Sequence, residues 1–229
     1  MSISLYVGIA EACKMALLCT RNRMHGHGVA KERRLGSVER DAERPAPISN
    51  AKQTDFSHPQ TNQFTTMKTG IFYGSTTGCT EGVANEIAEL LGIEVADIHN
   101  VGEASAAEAA AYDTLLLGSS TWGCGDLQDD WYDFLEQLQA ADLSGKRVAL
   151  FGCGDSDSYP DTFCGALGQL YDGLQGTGCA FIGSFEPSDY NVTDSDVCRD
   201  GQFVGLAIDE ADSDDKNRAR LEAWCQLVK

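Results

Sequence analysis

The feature that most constrains this fold is a regular alternation of β-rich runs and helical stripes across residues 69–228. Repeated strand–helix units build a parallel sheet with helices on both faces and right-handed crossovers. The predicted strands are Thr69–Tyr73, Ile93–Ile98, Thr114–Gly118, Arg147–Gly152 and Cys179–Ile182, with a last segment at Val204–Ile208. The apolar periodicity predicts helices at Thr80–Leu91, Ser105–Tyr112, Asp129–Ala140, Thr162–Leu174 and Lys216–Val228.

Charge divides the chain into two regions. Residues 1–66 hold nine Lys or Arg and six Asp or Glu, whereas residues 67–229 hold eight and 29. We therefore predict an N-terminal extension over 1–66 and a compact acidic domain over 67–229, which is large enough to fold alone. The extension fits neither a secretory signal nor, because of its acids, an organelle transit peptide. We expect a disordered tail, or sequence that precedes a true start at Met67.

Composition excludes several classes of function. The net charge of −18 argues against binding to nucleic-acid phosphates or to an anionic membrane surface. No uninterrupted run of about 18 apolar residues exists, so membrane insertion is not expected. The nine cysteines include no C-x-x-C pair, which argues against a zinc site or a thioredoxin-like motif. We expect reduced thiols and a cytoplasmic location.

Ligands of doubly wound sheets bind beyond the carboxyl ends of the strands, where the winding reverses. The loop after the first strand, Gly74–Thr80, carries four hydroxyl residues and leads into a helix. Its N–H groups and hydroxyls suit a single phosphate, although an ordinary capped helix explains the same residues. The loop lacks the Gly-Lys-Ser/Thr of a P-loop and the G-x-G-x-x-G of a dinucleotide site.

The loops after the third and fourth strands each carry an aromatic candidate for ligand binding. Trp122 lies between Thr121 and Gly123, and Tyr159 follows a Gly-Cys-Gly-Asp run. Taken singly, the tryptophan fits core packing equally well, and the loop that contains Tyr159 fits an acidic turn or a weak cation site. Taken with the phosphate loop, they predict a slot for a planar heterocycle that carries one phosphate, which is flavin mononucleotide (FMN).

The segments GIFYGSTTGCTE, STWGCGDLQDDW and GCGDSDSYPDTF resemble the three cofactor loops of flavodoxins. Flavodoxins are themselves an example on which the switch-point rule rests. The interruption of the last strand by about residues 183–203 resembles the long-chain subgroup. The resemblance covers residues 67–229 and implies a flavodoxin-like, doubly wound, five-stranded parallel sheet of order 2-1-3-4-5, with the last strand split by that insertion.

The resemblance implies a cofactor site and no catalytic or metal-ligating residue. Cys79 stands where the family commonly has Asn or Lys, and Cys124 where a larger residue is common beside the flavin. The Gly123 carbonyl is expected to accept a hydrogen bond from N5 of the reduced flavin and so to stabilise the semiquinone. The implied FMN-binding residues are Ser75, Thr76, Thr77, Gly78, Cys79, Thr80, Ser120, Thr121, Trp122, Gly123, Cys124, Gly125, Cys153, Gly154, Asp155, Tyr159, Thr162 and Phe163.

The implied function is that of a monomeric, low-potential one-electron carrier that shuttles between semiquinone and hydroquinone. Its expected partners have basic surfaces, such as ferredoxin–NADP reductase, with photosystem I or nitrogenase in suitable organisms. The alternative is a flavodoxin-like FMN-dependent quinone or flavin reductase, which the split fifth strand disfavours. A receiver domain is rejected because the third strand ends in Gly118-Ser119-Ser120 rather than in an aspartate. Plastid stroma is the alternative location if the N-terminal extension is a transit peptide after all.

Overall fold

The computed structural model describes residues 67–229, and the predicted N-terminal extension lies outside the described residues. The helices are α1 (Cys79–Leu91), α2 (Ala106–Ala109), α3 (Trp131–Ala140), α4 (Gly165–Leu174) and α5 (Asp214–Val228). The strands are β1 (Thr69–Gly74), β2 (Ile98–Asn100), β3 (Thr114–Trp122), β4 (Asp126–Leu127), β5 (Arg147–Gly154), β6 (Ala180–Ile182), β7 (Cys198–Arg199), β8 (Gln202–Phe203) and β9 (Gly205–Asp209).

The main strands form a parallel sheet of order β2-β1-β3-β5-β6, with β9 also paired to β5. This confirms the predicted order 2-1-3-4-5, since β6 and β9 together make the fifth strand. Strand β3 lies in the middle and is buried on both faces over its first seven residues. The short strand β4 pairs with the end of β3 in an antiparallel hairpin.

Helices cover both faces because neighbouring residues of each strand point in opposite directions. Leu115 and Leu117 of β3 pack in one core with residues of α2, α3 and α4. Leu116, between them, packs in the other core with residues of α1 and α5. Within residues 67–229, none of the helices has the length and apolarity needed to span a bilayer.

The fifth strand is split without any loss of register. Ile182, the last residue of β6, pairs with Ala149 of β5, and Gly205, the first residue of β9, pairs with Leu150. Residues 183–204 leave the edge of the sheet, and the chain then pairs with the next residue of β5. They form a short 3-10 turn at Pro187–Asp189 and the β7–β8 hairpin.

The insertion is anchored by one tyrosine. The Tyr190 ring is buried, its hydroxyl donates to the Ala207 carbonyl at 2.7 Å, and the Arg220 guanidinium lies 3.7 Å from the ring centroid. Arg220 is itself buried and pairs with Asp189 and Asp212. An Arg that stacks on an aromatic ring while pairing with carboxylates fixes the insertion to α5.

Three sequence predictions need correction at element boundaries. The predicted strand Ile93–Ile98 was wrong in most of its length, because residues 95–97 form a 3-10 turn and pairing to β1 begins at Ile98. The predicted helix Ser105–Tyr112 is helical only over Ala106–Ala109, although Ser105 and Glu108 cap it as a capping box. The predicted helix at Thr162 begins at Gly165, because Cys164 takes a left-handed φ of 49°.

The close approach of β9 to β5 yields a stability prediction. A Cβ added to Gly205 would collide with the backbone carbonyl of Leu150. We expect Gly205→Ala to lower the free energy of unfolding by about 1–3 kcal/mol through overpacking. Gly82→Ala is the matched control, because a Cβ at this helical position meets nothing within 4 Å; it should raise stability by about 0.5–1 kcal/mol. Urea denaturation followed by circular dichroism measures both, and equal effects would contradict the packing argument.

Candidate cofactor site

A cleft with a volume of about 280 Å³ opens where β1, β3, β5 and β9 end. Parallel strands bring their carboxyl ends to one edge of the sheet, so the loops that follow them meet there. The cleft is lined by Thr77, Cys79, Ser120, Thr121, Trp122, Gly123, Cys153, Gly154, Asp155, Tyr159, Thr162, Phe163, Cys164 and Glu210.

The first loop leads directly into α1. Gly78 has a φ of 92°, a conformation that favours glycine, and its N–H donates to the Ser75 hydroxyl oxygen at 3.1 Å. The backbone N–H groups in the first turn of α1 have no acceptor within the helix. Together with the positive end of the helix dipole, they form an anion site without a cationic side chain.

The second loop is the turn of the β3–β4 hairpin. Gly123 has a φ of 53°, and the Gly125 N–H donates to the Trp122 carbonyl at 3.1 Å. The Trp122 side chain is 43 % exposed, which is unusual for so large an apolar group. Its indole N–H donates to the Ser120 hydroxyl oxygen at 3.0 Å, and this bond fixes the plane of the ring against the cleft.

The wall of the cleft contains a polar atom with no partner. The hydroxyl oxygen of Thr121 is buried, and no other group in residues 67–229 makes a hydrogen bond to it. A buried hydroxyl that lacks a hydrogen bond costs about 1–3 kcal/mol. Since Thr121 lines the cleft beside Trp122, its hydroxyl is suited to donate to or accept from a bound ligand.

The third loop brings Tyr159 to the cleft. Its ring is 57 % exposed, and its backbone N–H donates to the Asp155 carbonyl at 3.0 Å. The Asp155 carboxylate accepts the backbone N–H groups of Asp157 and Ser158 at 3.0 Å each. Hydrogen bonds from Ser158 lower the pKa of Asp155, so the carboxylate that folds this loop is also charged at neutral pH.

Comparison with known proteins agrees with this geometry. The flavodoxin family profile matches residues 71–224. Flavodoxin 1 of Escherichia coli K12 is 43 % identical over 161 residues, which are 70 % of this chain and 92 % of that protein. Flavodoxin 1 of Azotobacter vinelandii is 45 % identical over 164 residues, 70 % of this chain and 94 % of that protein. The chain belongs to the flavodoxin family.

A solved structure shows the same fold in a flavodoxin with its ligand. The Fusobacterium nucleatum flavodoxin bound to flavin mononucleotide superposes with a TM-score of 0.64 at 30 % identity. The match covers 70 % of this chain and 96 % of that one. The comparisons do not distinguish the long-chain subgroup, but the split fifth strand is compatible with it.

The structure brings twelve of the predicted site residues of this flavodoxin to the cleft wall, all of them in the lining given above. The other six predicted residues do not line the cleft. Thr80 is fully buried and its hydroxyl donates to the sulfur of Cys153 at 3.8 Å, and Gly125 lies against Gly165 and the insertion residue Asp196. Cys124 is exposed. The residues outside the wall are Ser75, Thr76, Gly78, Thr80, Cys124 and Gly125.

Sequence reasoning missed two residues of the wall, Cys164 and Glu210. Glu210 follows β9, and the rule on carboxyl strand ends would have found it if applied to the last strand as well. Cys164 carried no signal, because its contribution depends on the left-handed turn that precedes α4. Among the described residues, the cleft wall holds two carboxylates, Asp155 and Glu210, and no lysine or arginine.

Asp209 anchors the third loop of the site to the end of β9. The sequence analysis did not predict this role. It is fully buried at the end of β9, next to Glu210. Its carboxylate accepts the backbone N–H of Ser156 at 3.1 Å, the Ser156 hydroxyl at 2.5 Å and the N–H of Ala211 at 3.1 Å. These bonds hold the Asp155–Tyr159 turn against the sheet.

We expect Asp209→Ala to loosen that turn and leave the buried Ser156 N–H without an acceptor. The free energy of unfolding should fall by about 1–3 kcal/mol, and crystallographic or NMR data should show increased motion of Tyr159. Asp157→Ala is the matched control, because the Asp157 side chain is exposed and supplies only its backbone N–H to the turn. An Asp209 variant as stable and as ordered as the Asp157 variant would contradict this role.

Proposed function

We propose that this flavodoxin binds one FMN non-covalently in the cleft and carries electrons singly at low potential. The carrying observation is the combination of two exposed aromatic rings, Trp122 and Tyr159, with the unpartnered hydroxyl of Thr121 in one cleft. Exposed rings suit a flat heterocycle, and the unpartnered hydroxyl of Thr121 suits a polar group at the edge of the same ligand.

The residues of the cleft suit both the phosphate and the flavin ring of FMN. The N–H groups of the first turn of α1 and the hydroxyls of the preceding loop suit its phosphate. Ser120, Trp122 and Tyr159 suit its ring, which supplies the one-electron chemistry when bound. The protein binds and orients the ring, limits its contact with water and sets the charge around it.

The charge on the wall supports a low potential. Asp155 and Glu210 line the cleft, and residues 67–229 hold 29 acids against eight Lys or Arg. One carboxylate about 10 Å from an added negative charge, through water, costs that charge about 0.4 kcal/mol. That equals about 17 mV for one electron, and several acids add to it.

The chain is an electron-transfer protein, and we propose that it has no catalytic activity of its own. The alternative is an FMN-dependent quinone or flavin reductase. We propose the cytoplasm as its location, which agrees with the seven free cysteines among the described residues. The relatives named above are bacterial and give the plastid alternative no support.

The proposed partners are redox proteins with basic docking surfaces, such as ferredoxin–NADP reductase, with photosystem I or nitrogenase in suitable organisms. Acidic surfaces steer diffusional encounter with basic ones and suppress approach to acidic ones. We propose that the carrier acts as a monomer.

Anaerobic photoreduction of the purified full chain tests the function. We expect FMN at a 1:1 ratio and a long-wavelength absorption band, from the one-electron-reduced flavin, that rises and then falls as reduction proceeds. Steady oxidation of NADPH by the chain alone would favour the reductase. Trp122→Ala is the matched variant, because it removes one exposed ring and should weaken FMN binding. A chain that takes up no FMN would refute the proposal.

The partner proposal predicts a salt effect. The rate constant for electron transfer to ferredoxin–NADP reductase should fall at least tenfold between about 10 and 500 mM salt, because salt screens opposite charges. Stopped-flow measurements give this rate directly. A rate independent of salt would mean that the acids serve solubility alone.

A further inference from the structure

Two thiols from different elements meet in the wall of the cofactor cleft. Cys79 is the first residue of α1, and Cys153 lies one residue before the end of β5. Both line the cleft, and the hydroxyl of Thr80, the residue after Cys79, donates to the Cys153 sulfur at 3.8 Å. The proposed function uses neither sulfur. The Thr80 hydroxyl, which donates to Cys153, holds that sulfur at the base of the first loop.

The two thiols differ in exposure and acidity. Cys79 is half-buried at the N-terminus of a helix of 13 residues, and its hydrogen bond with Cys153 lowers its pKa although burial opposes the change. Cys153 is 3 % exposed, and the bond to Cys79 together with burial raises its pKa. A half-exposed thiol of lowered pKa beside a buried thiol is the arrangement of an attacking and a resolving cysteine.

We propose that Cys79 and Cys153 are a redox modification site, at which small-molecule disulfides oxidise the FMN-free protein to an intramolecular disulfide that closes the cleft to FMN. The inference rests on the proposed function, because FMN is the ligand whose entry the disulfide controls. Bound FMN covers the wall on which both sulfurs lie and protects them from oxidation.

The reaction is two steps of thiol–disulfide exchange. The Cys79 thiolate attacks one sulfur of oxidised glutathione, so the glutathione S–S bond breaks and a mixed disulfide forms with release of one glutathione thiolate. Cys153 then gives its proton to that thiolate and attacks the Cys79 sulfur, which releases the second glutathione. Two protein thiols are oxidised, one glutathione disulfide is reduced to two thiols, and no other oxidant is needed.

The disulfide acts on FMN through the phosphate loop. Cys79 contributes one of the free N–H groups at the start of α1, next to the left-handed turn at Gly78. A covalent bond from its side chain to β5 shortens the distance between the two sulfurs to about 2 Å. The loop that faces the phosphate must move with it.

The test compares reduced and oxidised FMN-free full chain. After incubation with oxidised glutathione and alkylation of the remaining thiols, proteolysis and mass spectrometry should detect a Cys79–Cys153 cross-link. FMN titration should show at least tenfold weaker binding, restored by dithiothreitol. Excess FMN added first should slow cross-linking at least tenfold. The reduced chain tests the proposed function separately. If it does not bind FMN, that function is refuted, whether or not the cross-link forms.

Three variants separate the cysteines. Cys79→Ser should form no cross-link and bind FMN equally well before and after oxidation. Cys153→Ser should stop at the mixed disulfide between Cys79 and glutathione. Cys124→Ser, which removes an exposed thiol outside the cleft wall, should still form the cross-link. Absence of the cross-link in the FMN-free chain, or equal loss of FMN binding by oxidised Cys79→Ser, would overturn the proposal.

Discussion

The parallel pairing of β3 between β1 and β5 is the constraint on which the rest of the structure depends. Six residues of β1 and seven of β5 pair with β3, and its leucines alternate between the two cores. This fixes the carboxyl ends of three strands at one edge, so three loops from distant parts of the sequence meet there. The split fifth strand preserves this edge, because β9 continues the register of β6 beside β5 and carries Asp209 and Glu210 to the same place.

Most of the sheet and much of the site could be predicted because the signals are local. The apolar run at residues 114–118 predicts a buried strand, and the three loops taken together predict a slot with Trp122 and Tyr159 at its sides. Other features depend on contacts that no local pattern carries. Asp209 acts on Ser156, 53 residues away, and the second strand is limited to the residues that pair with β1 from Ile98 onward. Cys164 takes a left-handed φ that residues other than glycine rarely adopt, so no local sequence pattern predicted it.

The electrostatics of the site follow from the lack of cationic side chains in its loops. Within residues 67–229, neither the first loop nor the rest of the cleft wall holds a lysine or an arginine, so the loops offer an anion only neutral N–H and O–H groups. The surrounding surface is strongly acidic, and Asp155 and Glu210 add two carboxylates to the wall. A phosphate held in this way gains from short hydrogen bonds and the helix dipole rather than from long-range attraction. The same absence leaves an added electron on the cofactor without a compensating cation, which makes the reduced carrier a strong donor.

The most direct measurement compares the dissociation constants of FMN and riboflavin, which differ only by the phosphate, at low and high salt. The account predicts that FMN binds at least about 100-fold more tightly, which corresponds to about 2.7 kcal/mol from the phosphate. It also predicts that FMN affinity does not fall as salt rises, because no cationic side chain attracts the phosphate and the acidic surface repels it less under screening. Equal affinities for the two ligands, or FMN binding that weakens steeply with salt, would contradict the assignment of the first loop as a neutral phosphate site.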